Sequence, residues 1–262
     1  MNITIYGPGR AGGALAIAAE AAGHRITGID GRSLERIEAL ARLVNVSPDE
    51  PDLLIIAVSD DALARSSELV PIGNAPAVVH VSGAVRVDVL RPFQDAGSLI
   101  GSFHPLQTFP DAQTGAARLA GAHVAITADP PLDEMLQDLA SSLGCQSFPI
   151  ADDMKPLYHA AAAASANATL AALAVASDLF AEAGVDFAVA KPLVDAIVGN
   201  AFDLGPRGAL TGPIARGDLA TVAAQTEAVR RSAPHLVDAF INLGKATAAV
   251  AGTADVFAEV WS

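Results

Sequence analysis

Apolar positions along the chain follow two regimes that change near Ile150. Before that point, short β-branched or aliphatic runs alternate with amphipathic stretches. Asn2–Tyr6, His24–Ile29, Asp52–Val58, Ala77–Val81, Ser98–Phe103, His123–Thr127 and Gln146–Ile150 read as strands. The nearly unbroken apolar run Asp52–Val58 predicts a strand buried on both faces of a parallel sheet. Helices are expected from Gly12 to a stop at Gly23, over Leu34–Leu43 and over Pro131–Leu143. Strand alternating with helix predicts an α/β doubly wound domain over residues 1–150.

After Ile150 the pattern is helical throughout. A long helix capped by Asp152 or Asp153, with Pro156 in its first turn, should run to Ala183 and stop at Gly184. Asp186–Leu204 follows, ended by Gly205-Pro206, then a loop through Leu210 to Asp218. Helices over Asp218–Arg231 and Pro234–Ala251 complete the chain, the last with Ser232 as its expected cap. Residues 151–262 are therefore expected to form an all-helical second domain. Its most apolar stretch, His159–Ala176, is mostly alanine and carries Ser165, Asn167 and Thr169, which predicts a buried helix of a soluble protein rather than a membrane span. Alanine-rich faces allow close helix approach, and a homodimer through this domain is the corresponding expectation.

The first turn carries the most specific motif. Gly7-Pro8-Gly9-Arg10-Ala11-Gly12 is a G-x-G-x-x-G placed directly after a strand and before a helix. In a dinucleotide-binding βαβ unit Gly7 permits the tight turn, Gly9 admits a pyrophosphate against the backbone, and Gly12 lets helix and strand pack closely. The helix N-terminus then faces the phosphates. About 20 residues on, where the adenosine ribose is read, two signals compete. Asp30 favours the free 2′-hydroxyl of NAD, whereas Arg32 with Ser33 favours the 2′-phosphate of NADP. The Arg-Ser pair is the more distinctive, so NADP is the expected cofactor with NAD left open. Val58, Ser59 and Ser82 end later strands on the side where cofactor loops gather.

Composition narrows the class. The chain has 262 residues, 52% hydrophobic and 17% charged, enough for a sizeable core. A formal charge of −13 argues against binding nucleic acid or an anionic membrane through a general field. The single cysteine, Cys145, suits a reducing cytoplasm and reads as a small buried hydrophobe. No basic stretch followed by an apolar run opens the sequence, so no export signal is expected. No His/Cys/Asp grouping has metal-ligand spacing, and no metal is expected.

Hydride transfer to C=O or C=N needs a proton donor at the heteroatom and a cation or amide to fix a carboxylate. Lys155 and His159 stand four apart at the start of the long helix, with Tyr158 beside them and Asn167 eight further on. His104 is expected on a loop after a strand, followed by Gln107 and Thr108, and Thr211 offers a hydroxyl in a later turn. Lys155, His159, Asn167 and His104 are the catalytic candidates. Gln107, Thr108, Tyr158 and Thr211 are the substrate-binding ones.

Taken together, Gly7 to Gly12, Phe103-His-Pro-Leu-Gln-Thr-Phe109, Lys155-x-x-Tyr-His-Ala-Ala161 with Asn167, and Leu210-Thr-Gly-Pro213 with Arg216-Gly-Asp218 resemble a family of bacterial Rossmann-like proteins. Its C-terminal helical domain has no known function, and it looks like a branch of the superfamily of pyrroline-5-carboxylate reductase, ketopantoate reductase and the β-hydroxyacid dehydrogenases. The resemblance implies an NADP-binding oxidoreductase, often dimeric, acting on a small 2-keto acid or imine. It also implies catalytic roles for Lys155 and Asn167, although their spacing is wider than the usual four residues. Two other readings remain: a nucleotide-binding sensor or regulatory protein without turnover, and an NADPH-dependent reductase of a deazaflavin coenzyme.

Overall fold

The structure is a computed structural model and describes residues 1–71 and 75–261. The chain divides into two compact units, Met1–Ala162 and Ala163–Ser262.

The first unit is built on a seven-stranded sheet: β1 (Asn2–Tyr6), β2 (Arg25–Asp30), β3 (Leu53–Ile56), β4 (Ala77–His80), β5 (Leu99–Leu106), β6 (His123–Ala128) and β7 (Gln146–Pro149). Their spatial order is β2-β1-β3-β4-β5-β6-β7. Strands β1 to β5 are parallel; β6 runs antiparallel to β5, and β7 parallel to β6. The helices of this unit are α1 (Arg10–Ala21), α2 (Leu34–Ala41), α3 (Asp60–Leu63), α4 (Ser66–Leu69), α5 (Arg91–Asp95), α6 (Ala112–Ala117), α7 (Leu132–Ser142) and α8 (Lys155–Ala163), the last ending at the boundary.

Period-two alternation divides the strand residues between two cores. Ile3, Ile5, Leu53, Ile55, Val79 and Phe103 pack on one side with Leu15 of α1 and Leu136 and Leu139 of α7. Tyr6, Leu54, Ile56 and Val78 face the other side with Leu90 and Phe93. Every residue of β3 and β4 is buried, as a strand covered on both faces requires.

The second unit is helical: α9 (Thr169–Glu182), α10 (Lys191–Leu204), α11 (Pro206–Ala209), α12 (Pro213–Arg216), α13 (Leu219–Ser232) and α14 (Val237–Ala251). Among the described residues no strand follows β7. A π-helical turn, Ala164–Ala168, joins α8 to α9. Val222, Ile241, Ala248, Phe257 and Trp261 form one small core, and Val229, Ala233 and Leu236 another.

Several expectations are corrected. The chain divides after Ala162 rather than after Ile150, because the first turns of the long helix are hydrogen-bonded to the sheet. Asp152 does not cap that helix: its carboxylate accepts from Val87 N at 2.8 Å and from Arg86 Nε at 3.3 Å. Ser232 is the last residue of α13 and not a cap, the next turn being the short helix Pro234–Leu236. The expected buried alanine-rich helix is not buried in this chain: no residue of α9 is fully buried, although several, Leu179 among them, are partly covered. By length and composition alone, the helical run Asp152–Glu182 could cross a bilayer.

Candidate functional site

The β1–α1 turn is shaped by its glycines. Gly7 has φ +100°, and a Cβ there would lie 2.4 Å from the Ala57 carbonyl oxygen. A Cβ at Gly12 would meet Gly7 O at 2.3 Å, so α1 is seated directly on the turn. Gly9 has open space above it. It is the N-cap of α1 and brings no side-chain cap. The first intrahelical bond runs from Gly13 N to Gly9 O at 2.8 Å, which leaves the N–H groups of Arg10, Ala11 and Gly12 directed outward from the helix start.

A cleft of about 820 Å³ opens above this turn. Gly7, Pro8, Gly9, Arg10, Ala11, Arg32, Ser33, Val58 and Ser59 line it, so nine of the expected cofactor residues converge in one place. Gly12 lies beneath them as a packing residue. Asp30 does not join them. Its Oδ1 accepts from Gly31 N at 2.6 Å, and the residue borders a separate depression with Thr4, Glu50 and Leu54. Ser82 also lies elsewhere, its Oγ accepting from Ala84 N and Val85 N. Two cleft arginines escaped the sequence reading. Arg36 follows Arg32 by four residues onto α2, and that helical spacing was the available signal. Arg118, after α6, has no local signal at all.

A second group gathers where β4 and β5 end and α8 begins. His80 and Ser102 are register partners across the two strands. Lys155 is only 1% exposed, and its Nζ donates to Ser82 O at 3.0 Å and Ser102 Oγ at 2.6 Å. Burial lowers its pKa to about 8, against the raising effect of Asp152 and Asp60. Above this buried base sits a half-buried rim of His104, Tyr158 and His159. His104 belongs to β5 and is paired with Ala125, rather than lying on a loop. Its Nδ1 is 2.8 Å from the Tyr158 hydroxyl, and its ring meets those of Tyr158 and His159 edge-on at 5.5 and 5.9 Å. Both imidazoles lie over Gly83, where a Cβ would come within 2.7 Å of His159 Cδ2 and 2.8 Å of His104 Nε2.

Burial, and then electrostatic repulsion from His159 and Lys155, push His104 down to about 4. Burial and Lys155 take His80 to about 3, while burial raises Tyr158 to about 12. Near neutral pH His80, His104 and Tyr158 are therefore uncharged. His80 Nδ1 accepts from Ser82 N at 3.1 Å, and its Nε2 is buried without a partner.

Gln107 and Thr108 take no part in this rim. They bond to one another and to the backbone and side chain of Arg118, and only Thr108 lines the dinucleotide cleft. Asn167 is exposed on the π-helical turn of the second unit. Thr211 borders a small apolar pocket there with Leu179, Phe240 and Trp261. Cys145 is buried, with Sγ donating to Leu119 O at 3.1 Å, and burial raises the thiol's pKa. Among the described residues no group of three or more His, Cys, Asp or Glu is arranged to hold a metal ion.

The family model for a Rossmann-like domain matches residues 1–105, and that for a domain of unknown function, DUF2520, matches residues 122–247. No curated protein matches the chain in sequence. Solved structures resemble it over nearly its whole length. A candidate NADP oxidoreductase from Bacteroides fragilis is 24% identical, with a TM-score of 0.81 over 95% of this chain and 98% of its own. A reductive aminase from Aspergillus terreus, in complex with NADPH and ethyl-5-oxohexanoate, is 15% identical, with a TM-score of 0.67 over 98% and 99%. An imine reductase from Streptomyces aurantiacus is 18% identical, with a TM-score of 0.64 over 96% and 98%. At these identities the likeness establishes the fold.

Proposed function

For a chain that joins a Rossmann-like domain to a DUF2520 domain, we propose an NADP-dependent reductase of a small carbonyl or imine compound. The observation that carries the reading is the cleft above the first turn. An uncapped helix N-terminus, a glycine with open space above it, and Arg32, Ser33 and Arg36 together fit a dinucleotide bearing a 2′-phosphate. With the Asp30 carboxylate held by Gly31 N–H and outside the cleft, NADP is favoured over NAD. Structural neighbours crystallised with NADPH support the same choice.

When bound, the reduced nicotinamide supplies a hydride. The chain's contribution is the imidazole rim. Tyr158, held protonated, donates to Nδ1 of neutral His104, which leaves the ring proton on Nε2 as a fixed hydrogen-bond donor. His159, beside it on the same rim, is the group that delivers a proton. Lys155 works from beneath as a positioning residue, its charge helping to keep His104 neutral. Because the Lys155 amine is buried and engaged by Ser82 and Ser102, an imine or uncharged carbonyl suits the rim better than a ketopantoate-like acid. Gln107 is read as a support of the cleft loop, through its bonds to Thr108 N and Arg118 O.

Calorimetric titration with NADPH and NADH, followed by a screen of cyclic imines, ketones and 2-keto acids for loss of nicotinamide absorbance, tests the reading. Tight NADPH binding with turnover of an imine or ketone is expected. NADPH binding with no turnover in any class would point to the sensor alternative. Failure to bind either dinucleotide would end the proposal.

The helical region is read as the dimerisation part, its occupant a second copy of this chain. No residue of α9 or α10 is buried, and Leu193, Ile197 and Phe202 stand 64%, 54% and 89% exposed. The helix through Asp152–Glu182 is read as part of that interface rather than a membrane span, since its first turn is anchored to the sheet by Lys155. A cytoplasmic location fits the lone, buried thiol of Cys145.

A further inference from the structure

We propose that Arg118 is a ligand of the dinucleotide's diphosphate, delivered to the cleft by the short helix that follows β5. The inference rests on reading that cleft as the NADP(H) site.

Helix α6 is locked against α1 more tightly than side chains would allow. A Cβ at Gly13 would lie 2.8 Å from Ala112 Cβ, and one at Gly115 would lie 3.0 Å from Ala14 Cβ and 2.6 Å from the Phe109 ring. These contacts seat α6 against Gly13 and Ala14 of α1, and Arg118, the residue that follows α6, lines the same cleft as Gly9 and Arg10. The backbone there is pinned as well: Gln107 Nε2 donates to Arg118 O at 3.2 Å, and Gln107 Oε1 accepts from Thr108 N at 2.8 Å.

The Arg118 guanidinium is free to take an anion. Among the described residues its guanidinium makes a single hydrogen bond, from Nη1 to Thr108 Oγ1 at 3.5 Å, the outer limit of such a bond. Ion pairs among the described residues involve Arg25, Arg86 and Lys191, not Arg118. Asp111, the carboxylate whose charge senses Arg118, already accepts from Thr114 N and Thr114 Oγ1, each at 2.7 Å. In a chain of formal charge −13, four arginines nevertheless meet in one cleft: Arg10, Arg32, Arg36 and Arg118. Arg32 and Arg36 flank Ser33, where the 2′-phosphate is read. Arg10 and Arg118 remain for the diphosphate, whose oxygens suit a planar guanidinium.

NADPH and NADH share the diphosphate and differ at the 2′ position, so two variants separate the roles. Arg118→Ala should weaken NADPH and NADH alike, by about tenfold each, as loss of one charge-assisted contact to a phosphate would do. Its affinity should also depend less on salt, and Arg118→Lys should restore part of it. Arg36→Ala should weaken NADPH alone by a similar factor. Calorimetry on the full chain, with circular dichroism to confirm folding, supplies the readout. Wild-type affinity in Arg118→Ala, or a loss confined to NADPH, would overturn the assignment. A wild-type chain that binds neither dinucleotide would instead remove the reading on which it rests.

Discussion

At the scale of single residues, the cluster around the ends of β4 and β5 makes stability depend on pH in two windows. His80 and His104 are lowered to about 3 and about 4 from 6.5. The unfolded chain therefore takes up their protons first as pH falls. The stability held by keeping these rings neutral is complete above about pH 6.5 and is lost as pH drops through the folded values, amounting to several kcal/mol at most. Lys155, lowered to about 8 from 10.5, has the opposite history. Its burial as a cation costs stability below pH 8, and that cost is relieved between about pH 8 and 10.5, where the unfolded chain holds the extra proton. Lys155→Met should abolish this alkaline rise, read as the difference in urea midpoint between pH 8 and pH 10; a rise that survives would place its origin elsewhere. On the chemical side, His104→Gln should lower turnover at least tenfold, about 1.4 kcal/mol of transition-state stabilisation, with NADPH affinity unchanged. Steady-state rates set beside a binding titration decide it.

At the scale of elements, the cleft depends on how closely α6 approaches α1. Gly115→Val puts its side chain into Phe109 and Ala14, which should cost about 1–3 kcal/mol of stability and weaken NADPH as the loop lifts. Thermal unfolding with and without NADPH measures both effects. This helix was not legible in the sequence: Ala112–Ala117 is short, contains a glycine and owes its start to the Asp111 cap. The strands were legible, because Leu53–Ile56 and Ala77–His80 are apolar on both faces and flanked by polar turns. His104 was assigned to a loop because Pro105 follows it, yet β5 continues past β4 along antiparallel β6, where Pro105 is paired with Val124. Asp152 looked like a local cap, and only the fold brings Val87 and Arg86 to its carboxylate. The π-helical turn at Ala164–Ala168 breaks the α-helical phase across the eight residues between His159 and Asn167. The glycine turn, Arg32 and Ser33 were readable because their chemistry is encoded within a few residues; Arg36 and Arg118 required the folded cleft.

At the scale of the whole molecule, the distribution of apolar surface is uneven. The first unit buries its aliphatic residues on both sides of the sheet, whereas the second leaves α9 and α10 without a single buried residue. On α10, Leu193 and Ile197 stand four residues apart on one exposed apolar stripe, with Val189 exposed in the turn before the helix and Phe202 exposed near its end. An amphipathic helix gains most of its stability from packing that stripe, so a lone chain would hold these helices weakly. A second copy of the same surface satisfies the requirement symmetrically. Sedimentation should therefore give a dimer at micromolar concentration, and the apparent melting temperature should rise with protein concentration, as mass action demands of coupled folding and association. The double substitution Leu193→Asp and Ile197→Asp places two charges on that face and should yield a monomer with a lower, concentration-independent melting temperature. The first unit's cleft carries its own arginines and glycine turn. NADPH binding should therefore persist in the monomer, and a wild-type chain that sediments as a monomer would show that the stripe serves another purpose.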